Sequence, residues 1–301
     1  MRSALKFACP VGVFLSLALP NIASAEMHLL AIGSCPPWKQ LATEEDTQAM
    51  MQVCEKDVTA ITSALTERFG LSADNTTTLL QETATVDNLY RSFEALAQNL
   101  DTDDTLVVYQ IAHGSVLAYA YKGYPASGEV FGYYSEEQPS IATAVEDGYW
   151  LAARDLRDAI YDLGARTGAD IVAIIESCHA SAANGELVHN PKLDLDGDSR
   201  ISFLFSSGAG EQAHFTNNFG GGLFTARFTE ALSKASSGDT LDEVFSVARR
   251  ETHRDTLAAC QGLPDSVSVQ LRANSSAYFN TCIQEPEYFD PSGLMLNVAV
   301  P

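Results

Sequence analysis

Basic residues are scarce in this sequence. Lysine and arginine together number 18 in 301 residues, against 39 aspartates and glutamates, which gives a formal net charge of −21. A chain this acidic repels polyanions, so nucleic acid and anionic membrane surfaces are excluded as partners. The phosphate-binding patterns G-x-x-x-x-G-K-[ST] and G-x-G-x-x-G are absent, as is the G-x-S-x-G of serine hydrolases. The acidity is interpreted as solubility outside the cell.

Long hydrophobic runs are confined to the N-terminus. Arg2 and Lys6 precede or begin an apolar run over 7–20, and a small-residue A-S-A end at Ala25 follows. This order is typical of a cleaved secretory signal, and the run is too short to span a membrane. We therefore expect the first 25 residues to be removed and a mature chain from Glu26 to be exported, to a periplasm or the extracellular space. A buried N-terminal helix is the alternative interpretation.

Cysteine is sparse, and its number is odd once the expected signal is removed. An odd count in an exported chain indicates a free thiol or an intermolecular bridge. Cys35 and Cys54 flank a Pro-Pro turn, and Cys260 and Cys282 lie in a loop-rich C-terminal stretch. Two local bridges, Cys35–Cys54 and Cys260–Cys282, are the simplest pairing. Cys178 is then left over, which makes it a candidate for chemistry.

Apolar runs alternate with amphipathic segments through the rest of the chain. Predicted strands lie at 27–34, 76–81, 104–114, 170–177 and 200–208, and predicted helices at 46–70, 85–100, 148–164, 223–234 and 240–254. Continuous apolar strands that alternate with helices predict an α/β fold, with a mostly parallel sheet covered by helices on both faces. Residues 115–148 show no clear period and are interpreted as loops or a hairpin.

One large domain accounts for this pattern. About 275 residues remain after the signal, which suits a single α/β domain. We place it at 26–285, between the signal at 1–25 and a C-terminal tail at 286–301. The apolar segment LMLNVAV in that tail is interpreted as an edge strand.

Two reactive side chains stand at predicted strand ends. His113 closes TLVVYQIAHG, and Cys178 closes DIVAIIESC. The active crevice of an open α/β sheet lies beyond the carboxyl ends of its strands, so neighbouring strands would bring the two residues together. An imidazole can generate the reactive thiolate, and the amides of Gly114 and Cys178 can hold an oxyanion. For either residue alone, a buried thiol or a hydrogen-bonded core histidine is the alternative.

These segments resemble the caspase-like cysteine peptidases, the group that includes caspases, metacaspases and legumains. Metacaspases carry Gly-His-Gly and Asp-Ser-Cys-His-Ser-Gly at these places, and legumains carry Asp-His-Gly and Glu-Ala-Cys-Glu-Ser-Gly. This chain has AHG ending at Gly114 and ESCHAS at 176–181. HLLAIG, FLFSSGAGEQA and GGGLFT resemble further family segments, so the resemblance covers residues 27 to 250.

The resemblance implies a caspase-like three-layer sandwich and an endopeptidase that requires no cofactor and acts on proteins or peptides. It makes Cys178 the nucleophile, His113 the general base or acid, and the amides of Gly114 and Cys178 the oxyanion hole. Glu176 matches the acid that lines the S1 pocket, where it would favour a basic P1 residue by ion pairing. Legumain-like cleavage after Asn or Asp, and transpeptidation, are alternatives.

Two departures from the family motif support a rival hypothesis. Ala180 and Ser181 replace the serine and glycine that follow the family's cysteine, and Ala112 precedes the histidine. A caspase-like binding or scaffold protein without turnover is therefore the alternative from another functional class. The oligomeric state is not predicted.

An acidic segment raises the hypothesis of a calcium site. Asp194, Asp196 and Asp198 are spaced as alternate ligands of a calcium loop, with an apolar residue where such loops have an anchor. The glycine falls at the fourth position instead of the sixth, and the twelfth residue is phenylalanine. A solvated acidic turn is the alternative. Processing after Asn190 or Lys192 in the same segment is a further hypothesis.

Overall fold

The computed structural model describes residues 25–35, 44–121, 124–134, 148–181, 200–216, 220–262, 269–270 and 282–301. Nearly all of the expected signal, the acidic triplet Asp194, Asp196 and Asp198, and the processing positions Asn190 and Lys192 lie outside these ranges.

The secondary structure alternates strands and helices as the sequence predicts. The strands are β1 (Met27–Ser34), β2 (Thr76–Leu80), β3 (Thr105–Ala112), β4 (Gly114–Tyr121), β5 (Tyr124–Gly132), β6 (Trp150–Ala152), β7 (Asp170–Glu176), β8 (Ile201–Phe205), β9 (Phe215–Thr216), β10 (Val269–Gln270) and β11 (Glu287–Phe289). The helices are α1 (Glu44–Phe69), α2 (Val86–Asn99), α3 (Ala153–Thr167), α4 (Leu223–Lys234) and α5 (Leu241–Cys260). Thr85 caps α2 by accepting a hydrogen bond from the Asn88 amide over 3.2 Å.

A six-stranded sheet forms the centre, in the order β11-β8-β7-β3-β1-β2. Its strand pairs are parallel except for β11, which runs antiparallel to β8 at one edge. Strands β1, β3 and β7 are almost wholly apolar and buried. This is the composition of a sheet that is covered on both faces.

The helices cover the two faces of this sheet. Alternate residues of β1 point to opposite faces, with Leu29 and Ala31 in one hydrophobic cluster and Leu30 and Ile32 in the other. Helices α1, α4 and α5 pack in the first cluster, and α2 and α3 in the second. The predicted three-layer α/β architecture is confirmed.

A small antiparallel sheet of β4, β5 and β6 follows directly after β3. Residues 115–148 therefore include the hairpin that was one of their two interpretations. The helix predicted from residue 148 begins only at Ala153. Its expected first turn is strand β6 instead, because Trp150 pairs with Gly132 and Ala152 with Val130, and the three residues of β6 are all buried.

The C-terminal residues complete the central sheet and its core. The edge strand lies at Glu287–Phe289, before the apolar segment in which it was predicted. That segment instead forms a short 3₁₀ turn at Leu294–Leu296, and Leu294, Met295 and Val300 are buried in the core. It packs against α5, where the Leu241 amide donates to the Val298 carbonyl over 2.9 Å.

Two disulfide bonds tie loops to this framework. Cys35–Cys54 joins the end of β1 to α1, and Cys260–Cys282 joins the last residue of α5 to the segment before β11. Cys178 is a free, buried cysteine. None of the helices within the described ranges is both long enough and apolar enough to cross a membrane.

Candidate active site

His113 and Cys178 lie at the same edge of the central sheet. Strands β3 and β7 are parallel neighbours, and Ile111 pairs with Glu176 in their register. Each reactive residue comes two positions after this pair, beyond the carboxyl end of its strand. Parallel strands place such residues in one crevice. The structure therefore brings together the two residues that the sequence motifs point to.

Gly114 makes this close approach possible. A Cβ atom on Gly114 would collide with the carbonyl oxygen of Cys178 and with Ser177 Oγ. Only glycine lets the backbone after His113 lie directly against the backbone that carries Cys178. His113 is partly exposed, whereas Cys178 is buried.

The loop of the candidate nucleophile Cys178, residues 177–181 and called the nucleophile loop below, is held by two serines that follow β8. Ser206 Oγ accepts from the Ser177 amide over 3.0 Å, and Ser207 Oγ donates to the Ser177 carbonyl over 2.8 Å. Ser207 also accepts from the amides of Ala180, at 3.2 Å, and Ser181, at 3.0 Å. Ala180 and Ser181, which depart from the family motif in this loop, are buried and carry backbone hydrogen bonds that fix it.

His179 turns the chain immediately after Cys178. Its φ of 58° lies in the left-handed region, which is costly for a residue with a side chain and is often found at functional sites. The His179 amide donates to the Glu211 carbonyl over 2.8 Å. The Glu211 carboxylate accepts from the amides of Gly208, at 2.8 Å, and Glu285, at 2.6 Å, while burial raises its pKa. Glu211, itself held by these two amides, therefore fixes the strained turn at His179.

Glu176 and His113 line one pocket beside the nucleophile loop. Glu176 is only 2 % exposed, and its Oε2 atom accepts from the Thr225 amide at 2.8 Å and from Thr225 Oγ1 at 2.9 Å. Thr225 lies in the first turn of α4, where the helix dipole favours a carboxylate. The pocket is lined by Cys35, Ile111, Ala112, His113, Glu176, Ala213, Phe215 and Gly222.

A second buried acid, Asp57, lies next to Glu176. Its Oδ2 atom accepts from the Gly222 amide over 2.8 Å. Burial, and then the charge of Glu176, raise the pKa of Asp57 well above its ordinary value. Sequence reasoning missed this residue. The available signal is its helical spacing from Cys54 and Ile61, which places a carboxyl on the apolar face of α1.

The glycine run 220–222 lets the chain pass close to both acids. A Cβ on Gly222 would lie 2.7 Å from Asp57 Oδ2 and 2.8 Å from the Glu176 carboxyl carbon. Gly221 has a φ of 146°, and a Cβ there would collide with Asp57 Oδ1. These glycines are therefore explained by the acidic pocket.

A third buried acid, Glu129, lies on the other side of the nucleophile loop. It is on β5, is 2 % exposed, and has its Oε1 atom 2.6 Å from where a Cβ on Gly114 would lie. Burial, and then the charge of the Cys178 thiolate, raise the pKa of Glu129 to about 10. Sequence reasoning missed it as well, because the contact exists only once the hairpin has folded back.

Comparison with known families agrees with this geometry. A family model described as the caspase domain matches residues 44–288, a range that holds His113, Glu129, Glu176 and Cys178. The chain belongs to the caspase domain family. A cysteine-peptidase type of function follows from this membership, and the resemblance seen in the sequence is confirmed.

One solved structure shows the same fold, and a second gives a weaker match. Protein GSU0716 from Geobacter sulfurreducens matches with a TM-score of 0.54 and 16 % identity, over 92 % of this chain and 100 % of that one. Caspase-1 from Spodoptera frugiperda matches with a TM-score of 0.47 and 13 % identity. The match covers 91 % of the present chain and 88 % of the caspase-1 chain. A comparison with curated proteins finds no match.

The predicted calcium ligands are not placed by the structure, since residues 194–198 lie outside the described ranges. Within those ranges there is no group of three or more His, Cys, Asp or Glu side chains that could hold a metal ion.

Proposed function

We propose that this caspase-family chain is an exported cysteine endopeptidase that cleaves peptide bonds after a basic residue. The observation that carries the proposal is the position of Cys178 and His113 at the ends of adjacent parallel strands, beside a pocket with the buried acid Glu176. Its substrates are then proteins or peptides, and no cofactor takes part in the chemistry.

The residues divide the reaction between them. His113 takes the thiol proton of Cys178, and the thiolate attacks the carbonyl carbon of the P1 residue. The amides of Gly114 and Cys178 hold the oxyanion of the tetrahedral intermediate. His113 then gives its proton to the leaving amine, which leaves a thioester on Cys178. Water, activated by His113, hydrolyses that thioester and restores the thiol.

The charge of the pocket favours a basic P1 side chain. Glu176 lies on the pocket wall with Asp57 directly behind it, so two acids share a region of low dielectric. A guanidinium or ammonium group would pair with the carboxylate of Glu176 there, and such pairs are strong when desolvated. A P1 aspartate would place a second carboxylate beside Glu176 and repel it. A P1 asparagine would leave the charge unbalanced.

Export accounts for the cysteine chemistry. The two disulfides Cys35–Cys54 and Cys260–Cys282 suit an oxidising compartment. The N-terminal pattern of basic residues, apolar run and A-S-A end supports the same location.

The test is hydrolysis of fluorogenic peptides that differ only in the P1 residue, namely Arg, Lys, Asn or Asp. We expect turnover of the Arg and Lys peptides, with and without calcium, and its loss in Cys178→Ala. Preferred cleavage after Asn would identify the legumain-like alternative, and capture of an added amine in place of water would identify transpeptidation. No turnover on any peptide, together with slow alkylation of Cys178, would identify an inactive binding protein.

A further inference from the structure

Glu129 contacts the segment that links the two proposed catalytic residues. It lies on β5, opposite Val116 of β4. A Cβ on Gly114 would lie 2.6 Å from Glu129 Oε1 and would collide with the carbonyl oxygen of Cys178. The carboxyl group of Glu129 therefore approaches the nucleophile loop from the hairpin. The acids of the proposed P1 pocket, by contrast, come from β7 and α1.

The carboxyl group is buried without a hydrogen-bond partner among the described residues. Glu129 is 2 % exposed, and neither of its oxygens has a hydrogen-bond partner within the described residues. Burial and the thiolate charge of Cys178 raise the pKa of Glu129 to about 10, so the group carries its proton at neutral pH. A buried polar group that makes no hydrogen bond is costly, and such groups are kept where a function uses them.

Within the described residues, chargeable groups lie on three elements next to β5. Cys178 lies on the loop after β7, and His113 lies at the end of β3. Helix α3 packs on β5 and carries Arg154 and Arg157, of which the latter pairs with the adjacent aspartate. The thiolate of Cys178 is the charge that acts on the pKa of Glu129. A protonated carboxylic acid near an anion has an O–H group that can donate a hydrogen bond to it.

We propose that Glu129 is a positioning residue for Cys178, whose carboxylic acid donates a hydrogen bond to the thiolate as it forms and orients it for attack. The proposal rests on the proposed function, in which Cys178 is the nucleophile. No proton is transferred to or from Glu129, because His113 takes the thiol proton and the O–H bond of Glu129 stays intact. An ionised carboxylate at this place would oppose the thiolate.

The experiment measures the rate at which iodoacetamide alkylates Cys178 as a function of pH. It compares the wild-type chain with Glu129→Gln, which keeps a donor, and Glu129→Met, which has similar size and no donor. Asp104→Asn is the matched control. Asp104 is also a buried acid, but its carboxylate accepts from the Glu26 and Asp101 amides. It precedes β3, at the end of that strand opposite to His113. Steady-state kcat and KM are measured on the Arg peptide.

We expect Glu129→Met to raise the pH midpoint of alkylation by about one unit and to lower kcat about tenfold, with KM nearly unchanged. Glu129→Gln should stay within about threefold of wild type, because it retains the donor. Asp104→Asn should change the unfolding temperature without changing the midpoint. A wild-type midpoint and kcat in Glu129→Met would overturn the proposal. If the alkylation rate depends on Glu129 but no peptide is hydrolysed, the proposed peptidase function is wrong and the role of Glu129 beside Cys178 stands.

A second measurement covers the case in which Glu129→Met does not fold. Infrared difference spectra before and after alkylation of Cys178 detect the carbonyl stretch of a protonated carboxylic acid. We expect a band that shifts on alkylation in the wild-type chain and is missing in Glu129→Gln. If the wild-type chain shows no such band, or if the band persists in Glu129→Gln, the proposed hydrogen bond from Glu129 to the thiolate is wrong.

Discussion

Gln284 donates a hydrogen bond from its side-chain amide to the Ser206 carbonyl over 2.8 Å. Its Oε1 atom accepts from the His214 amide, also at 2.8 Å. Gln284 follows Cys282 by two residues, so the disulfide to Cys260 positions it. The C-terminal segment thereby holds the serine pair that supports the nucleophile loop, although it lies far from that loop in sequence.

Substitution of this glutamine should therefore weaken both the fold and the reaction. Gln284→Leu leaves two buried backbone groups, the Ser206 carbonyl and the His214 amide, without their partner, and should lower the free energy of unfolding by about 2–4 kcal/mol. The looser serine pair should also lower kcat about tenfold. Urea unfolding and peptide hydrolysis measure the two effects. Ser202→Ala, which removes the side-chain bond to Asp290 at the other end of β8, should lower stability and leave kcat unchanged. Equal effects of both variants on kcat would contradict the prediction.

Gly222 should be essential to the P1 pocket. Gly222→Ala places a methyl group 2.7 Å from Asp57 Oδ2 and 2.8 Å from the Glu176 carboxyl carbon, and one of these groups must move. We expect KM for the Arg peptide to rise about tenfold or more, while alkylation of Cys178 changes little. Gly210→Ala is the control, since nothing lies within 4 Å of a Cβ there. An unchanged KM in Gly222→Ala would show that this pocket does not bind P1.

The Thr225 hydroxyl should contribute to substrate binding through Glu176. Thr225→Val removes the hydroxyl that donates to Glu176 Oε2 over 2.9 Å, and the backbone amide still donates. The Arg peptide should show a KM about tenfold higher, which corresponds to one hydrogen bond to a charged group at the weak end of its range. Thr225→Ser keeps the hydroxyl and should restore the wild-type KM. If serine and valine behave alike, the hydroxyl has no part in binding.

Asp57 should make the fold less stable as the pH rises. Its pKa is raised in the folded chain by burial and by Glu176, so above the unfolded value near 4 the folded state binds the proton more tightly. Stability is therefore full below about pH 4 and is lost as the pH rises toward the folded pKa, by up to about 1.4 kcal/mol per pH unit. Asp57→Asn, which has an oxygen for the Gly222 amide, should remove this part of the loss. Urea unfolding at a mildly acidic and a mildly alkaline pH measures it, and identical pH dependence in both chains would count against it.

Much of the architecture could be predicted from the sequence, because the apolar pattern that defines β1, β3 and β7 is local. The Cys178 and His113 motifs marked the strand ends, and the helix predicted at 223–234 has those bounds in the structure. What could not be predicted depends on long-range contacts. The three residues of β6 have no period of their own, so the sequence predicts a helical turn where the structure has a strand. Asp57 and Glu129 are polar residues whose role follows only from what folding brings against them.

The Cys35–Cys54 bridge places a disulfide in the wall of the proposed P1 pocket, because Cys35 lines that pocket together with Glu176. The proposed nucleophile and the pocket therefore require opposite redox states of their cysteines. Cys178 must stay a thiol to attack, whereas Cys35 must stay oxidised to keep the wall in place. Strong reductants, which are commonly added to protect a catalytic cysteine, would dismantle the binding site of this chain. Its activity should accordingly pass through a maximum as the thiol buffer becomes more reducing.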